Sequence, residues 1–219
     1  MLLNKTLNIE QLLALYKKGF FPMAENASSE EINFYKPKKR FIIPINKFHV
    51  PKKLFSEFKQ HKFKITINNN FLKVINNCKN SVRKENGTWI NQIILETFYK
   101  LFNTGYAKSI ECYYENELIG GLYGIHIGGC FFGESMFSKK TNGSKICLLY
   151  LISILKKKNF DLLDSQFYNP HLLQFGAYEI EDKNYQKILE RGIKKNCSFP
   201  NKFKFQEALS ILQLLIHKS

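Results

Sequence analysis

From residue 61 onward the spacing of apolar residues switches repeatedly between a period of two and one of about 3.6, and a chain patterned that way buries itself as a sheet covered by helices. Phe63, Ile65 and Ile67 alternate with Lys64 and Thr66, which predicts a strand. Phe71, Val74, Ile75 and Cys78 follow at helical spacing, with Asn70 placed as the cap. A second helix is predicted to begin at Trp89, with Ile90, Ile93, Ile94, Thr97, Phe98 and Leu101 on its stripe and Gly105 as its stop. Three strands come next: Ala107 to Tyr113 and Leu118 to Ile127, joined across Glu115-Asn116, then Cys130 to Phe137 after the hairpin signal Gly128-Gly129. A helix opens at Ser144 and runs to about Lys158, and a strand is predicted over Phe160 to Phe167. Helices at Pro170 to Phe175, at Asp182 to Arg191 and along Phe205, Ala208, Leu209, Leu212, Leu215 and Ile216 complete the chain. The order β-α-α-β-β-β-α-β-α predicts an α/β (α+β) fold, a mixed sheet flanked by helices.

The first 60 residues read differently. Ile9, Leu12, Leu13 and Tyr16 share a helical stripe, Gly19 stands where a C′ glycine belongs, and Phe20-Phe21-Pro22-Met23 follows. Glu25 to Lys39 is polar and then basic, and Arg40 to Pro44 reads as a short strand cut off by proline. A small N-terminal α/β domain over residues 1–60 and a larger domain over 61–219 are expected. With 44% hydrophobic and 23% charged residues the chain is not disordered. No apolar run approaches the roughly 18 to 20 residues of a membrane span, and the N-terminus lacks the pattern of a secretory signal, so a cytoplasmic address without a membrane partner is expected. The five cysteines and five histidines are scattered, with no C-x-x-C, and neither a disulfide framework nor a metal site is expected.

Asp164-Ser165-Gln166 lies near the C-terminal end of a predicted buried strand, where alternation turns Asp164 and Gln166 to one side. Such a pair on an apolar strand is either a site or a satisfied polar pair anchoring a loop. Gly133 inside the neighbouring strand marks a bulge or a close ligand approach and aims Glu134 toward Asp164; the alternative is a solvated glutamate. The loop Lys139 to Lys145 opens a helix and suits an anionic group, but it matches neither the P-loop nor the G-x-G-x-x-G pattern. A formal charge of +15 is spread over clusters that include Lys36 to Arg40, Lys47 to Lys53, Lys79 to Lys84 and Lys194 to Lys204. It describes either a solvated surface or a polyanion partner; Phe34, Tyr35 and Trp89 beside the clusters provide stacking faces for RNA.

Eight segments together resemble the leucyl/phenylalanyl-tRNA-protein transferase family in order and spacing. They are Leu12-Leu13-x-x-Tyr16-x-x-Gly19-x-Phe21-Pro22-Met23, Gly87-Thr88-Trp89-Ile90, Ser109-Ile110-Glu111, Gly120-Gly121-Leu122-Tyr123-Gly124, Gly133 to Ser138, Ser144-Lys145, Asp164-Ser165-Gln166 and His171-Leu172-x-x-x-Gly176-Ala177. The resemblance implies an acetyltransferase-like (GNAT) domain behind a small N-terminal domain, using aminoacyl-tRNA in place of acyl-CoA and no cofactor. The implied reaction moves leucine or phenylalanine, and less readily methionine, from tRNA to the N-terminal Arg or Lys of a protein, marking it for degradation by the N-degron (N-end rule) pathway. The implied partners are aminoacyl-tRNA and such proteins, with the enzyme acting as a monomer. Carried over, Asp164 orients the attacking amine or accepts its proton, Gln166 bonds the reacting carbonyl or amine, and Glu134 holds the α-amino group of the aminoacyl moiety. The side-chain pocket maps to Leu122, Met136, Leu148, Leu151 and Leu163. Trp89 packs near the terminal adenosine, with Tyr16 and Met23 as neighbours. The family's Trp-Ser-Pro-x-Pro-Arg stretch stands here as Phe34-Tyr35-Lys36-Pro37-Lys38-Lys39-Arg40, without its tryptophan and one proline, and Met23 occupies a position that is tryptophan in some members.

Two other readings share the fold. A CoA-dependent N-acetyltransferase needs a Q/R-x-x-G-x-G/A loop, which the sequence lacks. A non-catalytic tRNA-binding module would keep RNA affinity with no turnover to lose.

Overall fold

The computed structural model describes residues 6–81 and 87–217. Helix α1 (Ile9–Lys17) starts where the Asn8 side chain accepts from the Gln11 amide and ends where Gly19 turns left-handed at φ +86°. A hairpin of β1 (Phe21–Ala24) and β2 (Ile32–Tyr35) follows as a separate two-stranded sheet. The remaining elements are β3 (Lys39–Ile42), α2 (Lys52–Lys59), β4 (Lys64–Ile67), α3 (Phe71–Lys79), α4 (Gln92–Asn103), β5 (Ala107–Tyr114), β6 (Glu117–Ile127), β7 (Cys130–Ser138), α5 (Gly143–Lys157), β8 (Leu162–Asp164), a 3-10 helix (Pro170–Phe175), β9 (Tyr178–Glu181), α6 (Asp182–Ile193) and α7 (Phe205–Ile216).

The large sheet has seven strands in the order β4-β5-β6-β7-β8-β3-β9. Every neighbouring pair is antiparallel except β7 with β8. The β5-β6 hairpin turns through Glu115 and Asn116, both at positive φ, the conformation a two-residue hairpin needs to match strand twist. Strand β3 is inserted between β8 and β9, so residues on both sides of position 60 share this sheet.

Two hydrophobic cores cover the sheet. One packs α2, α5 and α7, and α5 is buried all round from Ile146 to Leu155 because it lies between the sheet and α7. The other packs α1, α3, α4 and α6 around Tyr16, Phe71, Phe98, Tyr123 and Leu189. Where β6 meets the start of α5 the backbones touch: a Cβ on Gly120 would lie 2.3 Å from the Gly143 carbonyl carbon, so only glycine fits. Among the described residues no helix is long and apolar enough to cross a membrane.

The structure corrects several sequence expectations. Helix α4 begins at Gln92, because Asn91 accepts from the Ile94 amide and caps it; Trp89 therefore precedes the helix. Strand β8 ends at Asp164 rather than near residue 167, since Gln166 at φ +67° leaves the extended region. The hairpin β1-β2, helix α2 and strand β9 have no counterpart in the sequence reading, being short or largely exposed. Residues 82–84 of the basic stretch Lys79 to Lys84 lie outside the described residues.

Candidate active site

Strand β8 delivers Asp164 to a fully buried position against Arg40, which is itself 1% exposed. The Arg40 Nε lies 2.9 Å from Oδ1 and 3.0 Å from Oδ2, and Nη2 donates to Oδ2 at 2.7 Å. The Tyr185 hydroxyl donates to Oδ2 and the Gln166 backbone N–H to Oδ1, both at 2.8 Å. Both carboxylate oxygens are thus engaged by donors from this chain. The third arm of Arg40, Nη1, donates to the Gly19 carbonyl at 2.9 Å, and the rings of Phe21 and Tyr185 each stand 4.6 Å from the guanidinium carbon. Burial works against the Arg40 charge, but Asp164 outweighs it and the guanidinium is held above its ordinary pKa. Burial, then Asp164, pushes the Tyr185 hydroxyl up as well, so it remains a donor.

Glu134 arrives by a different device. Tyr123 pairs with Ser135 and Gly124 with Gly133, so Glu134 is the extra residue of a β-bulge, a feature that re-aims a side chain. The Tyr16 hydroxyl donates to its Oε1 at 2.8 Å and the Gln166 carboxamide Nε2 donates to the same oxygen at 3.0 Å. Its Oε2 is buried without a hydrogen-bond partner among the described residues. Burial pushes the carboxyl up to about 8, against the lowering effect of the Tyr16 and Gln166 bonds. Near neutral pH the group therefore carries a proton, and Oε2 is the oxygen free to hold it. Burial, followed by Glu134 itself, raises the Tyr16 hydroxyl well above its usual value.

The parallel pairing of β7 with β8 covers only Cys130, Phe131 and Phe132 against Leu162, Leu163 and Asp164. Past that point β7 keeps β6 alone, and Glu134 and Gln166 bridge the place where the two strands part. Leu163 and Asp164 are successive strand residues and so face opposite sides. Leu122, Leu148, Leu151 and Leu163 lie buried in the core of α5, and Met136, the cross-strand partner of Leu122, packs half-buried against them. Trp89 and Met23 pack half-buried against the other core, and the Ala24 amide donates to the Trp89 carbonyl at 3.3 Å. The structure thus brings Asp164, Gln166, Glu134 and Tyr16 into one hydrogen-bonded group, with Trp89 and Met23 on the same side of the sheet and the five apolar residues on the other.

Two members of this group were missed. Arg40 reads in the sequence as the end of a basic surface cluster and is instead buried, which corrects that expectation. The available signal was alternation: Arg40 and the core residue Ile42 share a face of β3. Tyr185 carried a similar signal, four residues ahead of the buried Leu189 on α6. In the basic loop, the Ser144 amide donates to the Ser138 hydroxyl at 2.9 Å and Lys140 lies 3.5 Å from Glu117, so part of the expected anion cradle is taken up internally. The Cys130 thiol on β7 is held neutral by burial and supplies no nucleophile.

A family model described as leucyl/phenylalanyl-tRNA protein transferase matches residues 42–190. Among solved structures, the chain is similar to a functionally unknown conserved protein from Staphylococcus epidermidis ATCC 12228, with TM-score 0.43 and 10% identity over 81% of this chain and 66% of that one. It is also similar to L-PGS from Bacillus licheniformis, with TM-score 0.39 and 12% identity over 92% of this chain and 62% of that one. The chain therefore spans just under two thirds of the length of either solved structure.

Proposed function

The chain belongs to the leucyl/phenylalanyl-tRNA protein transferase family, and from that premise we propose that it moves leucine or phenylalanine, and less readily methionine, from aminoacyl-tRNA to the N-terminal Arg or Lys of a protein. The family is one of aminoacyl-tRNA protein transferase enzymes. The observation that carries the residue-level reading is the Glu134 carboxyl, bound on one oxygen by Tyr16 and Gln166 and open on the other, where β7 and β8 part.

In this reading Oε2 of Glu134 receives the α-amino group of the bound aminoacyl moiety. Its side chain passes between the parted strands toward Leu122, Met136, Leu148, Leu151 and Leu163. The terminal adenosine lies toward Trp89 and Met23. The Gln166 carboxamide binds the reacting groups, and Asp164, whose oxygens are occupied, orients Gln166 and leaves the proton to others. The acceptor amine attacks the ester carbonyl; the new N–C bond forms, the bond to the ribose 3′ oxygen breaks, and the proton lost by nitrogen goes to that oxygen through solvent. An unperturbed α-amine has a pKa of about 7.7 to 8.0, so a fraction is already neutral and the enzyme's main task is placement.

We read the fold as acetyltransferase-like (GNAT), a reading supported by a single parallel strand pair that diverges beside the acids. The division near residue 60 is then one of tasks: residues 1–60 bring Tyr16, Met23 and Arg40 to the site, and residues 61–219 bring Glu134, Asp164, Gln166 and the apolar pocket. The enzyme would act as a monomer in the cytoplasm and feed the N-degron pathway. The test is transfer of labelled leucine from charged tRNA to a protein beginning with Lys or Arg, beside one beginning with Met, with labelled acetyl-CoA as a competing donor. Transfer from tRNA restricted to the basic N-termini is expected. Product from acetyl-CoA alone would refute the donor, and tRNA binding without transfer would refute catalysis.

A further inference from the structure

We propose that Arg40 is a positioning residue for the transfer reaction: through Asp164 and the Gly19 carbonyl it fixes Gln166 and Tyr16 relative to one another, without touching either substrate. The inference rests on the functional reading above. Five side chains and two backbone carbonyls close a ring of contacts. Arg40 grips Asp164 through Nε and Nη2; Asp164 holds the Gln166 amide; the Gln166 carboxamide bonds Glu134; Glu134 accepts from Tyr16. Tyr16 lies in the last turn of α1, and its carbonyl accepts from the Gly19 amide, while the Gly19 carbonyl returns to Arg40 Nη1. Three strands, β3, β7 and β8, and the helix α1, all distant in sequence, are thereby tied together. Gln166 needs this support, because a non-glycine residue at φ +67° is disfavoured unless its surroundings hold it there.

Stability alone does not account for the arrangement, since well-packed apolar residues often replace a buried ion pair without loss. What apolar residues cannot reproduce is the fork: a planar guanidinium reaches a carboxylate edge and a separate carbonyl at once, with the rings of Phe21 and Tyr185 packed against it. Lysine keeps the charge but offers a single point of contact.

The test compares Arg40→Lys, Tyr185→Phe and the double variant Arg40→Met with Asp164→Leu. Leucyl-tRNA and a peptide beginning with Arg are the substrates, and rates are measured well below each thermal midpoint and referred to folded protein. Misplacement of reacting groups by about 1 Å can cost about a hundredfold in rate, so kcat is expected to fall at least about tenfold in Arg40→Lys and about thirtyfold in the double variant, with KM for both substrates within about threefold. The double variant, free of unpaired buried charge, keeps the test open if Arg40→Lys does not fold. Tyr185→Phe, which removes one donor and keeps the ring, is expected to lose a smaller part of kcat. A kcat within about threefold of wild type in the double variant, or a loss carried by KM instead, would overturn the proposal. If the wild-type protein transfers nothing, the transferase reading fails on its own. The positioning claim is then decided by amide hydrogen exchange at Gln166, Gly19 and Phe20. These are expected to quicken together by at least about tenfold in the double variant, and quickening at Gln166 alone would refute it.

Discussion

Glu134→Gln probes the open carboxyl in a way that needs no substrate. The Tyr16 hydroxyl and the Gln166 Nε2 both donate to Oε1, and a carboxamide oxygen accepts both, so the substitution preserves those bonds and alters only the Oε2 end. In the folded chain the carboxyl titrates at about 8 instead of its ordinary 4.5, so the native state holds the proton more tightly than the unfolded state. Its contribution to stability is therefore fully present below about 4.5 and is lost as pH rises through about 8. Moving the carboxyl from 4.5 to about 8 corresponds to on the order of 5 kcal/mol once the group is fully ionised. Glutamine has no such proton, so the variant gains on wild type across that window by up to this amount. Urea unfolding at about pH 5, 7 and 9 and constant ionic strength measures the difference by linear extrapolation. Two stability curves that run parallel within about 1 kcal/mol would refute the raised titration and its structural cause. In the transfer assay the same variant has no proton to give up when the α-amino group comes to Oε2, and a loss of about a hundredfold in kcat/KM is expected.

Tyr16→Phe removes a donor whose bond lowers the Glu134 pKa, so carbon-13 NMR of the labelled carboxyl should show its midpoint moving further up; a midpoint that stays or falls would contradict the assigned bond. Asp164→Asn leaves the buried Arg40 charge uncompensated and is expected to cost about 3 to 5 kcal/mol in urea unfolding, with a loss below about 1 kcal/mol counting against the buried pair. Met136→Ala would enlarge the proposed apolar pocket at its one half-buried member, and the ratio of phenylalanine to leucine transfer should rise by about tenfold; an unchanged ratio would place the side chain elsewhere. Gly120→Ala drives a Cβ to 2.3 Å from the Gly143 backbone, and a drop of about 1 to 3 kcal/mol in unfolding free energy is expected, since neither backbone can yield as a side chain would.

The elements that were legible in the sequence are those whose cause is local. The stripe from Ile9 to Tyr16, the Asn70 cap of α3, the Glu115-Asn116 turn and the apolar run of α5 each follow from residues within a few positions of one another, and the structure contains them. The expectation of a bulge at Gly133 had the same local origin, and Glu134 is the bulged residue. Helix α4 shows the limit: the start expected at Trp89 gives way to the Asn91 cap, and the helix begins at Gln92. The strands β1, β2 and β9 have no counterpart in the sequence reading: β1 carries a proline, and β2 and β9 are largely exposed, with no buried face to impose an apolar pattern.

By itself the sequence determined that this chain forms a mixed sheet under helices, and that Asp164 and Gln166 are polar residues at the end of an apolar run and Glu134 an acid beside a glycine inside a strand. Which partners they receive was decided by the tertiary structure. Arg40 meets Asp164 across 124 residues and Tyr16 meets Glu134 across 118, contacts that no local pattern encodes. They exist because β3 is inserted beside β8, because α1 packs beneath a bulge in β7, and because β7 and β8 part where they do. Periodicity depends on neighbours in the chain, whereas the pairing of a buried charge depends on which elements the sheet order brings together.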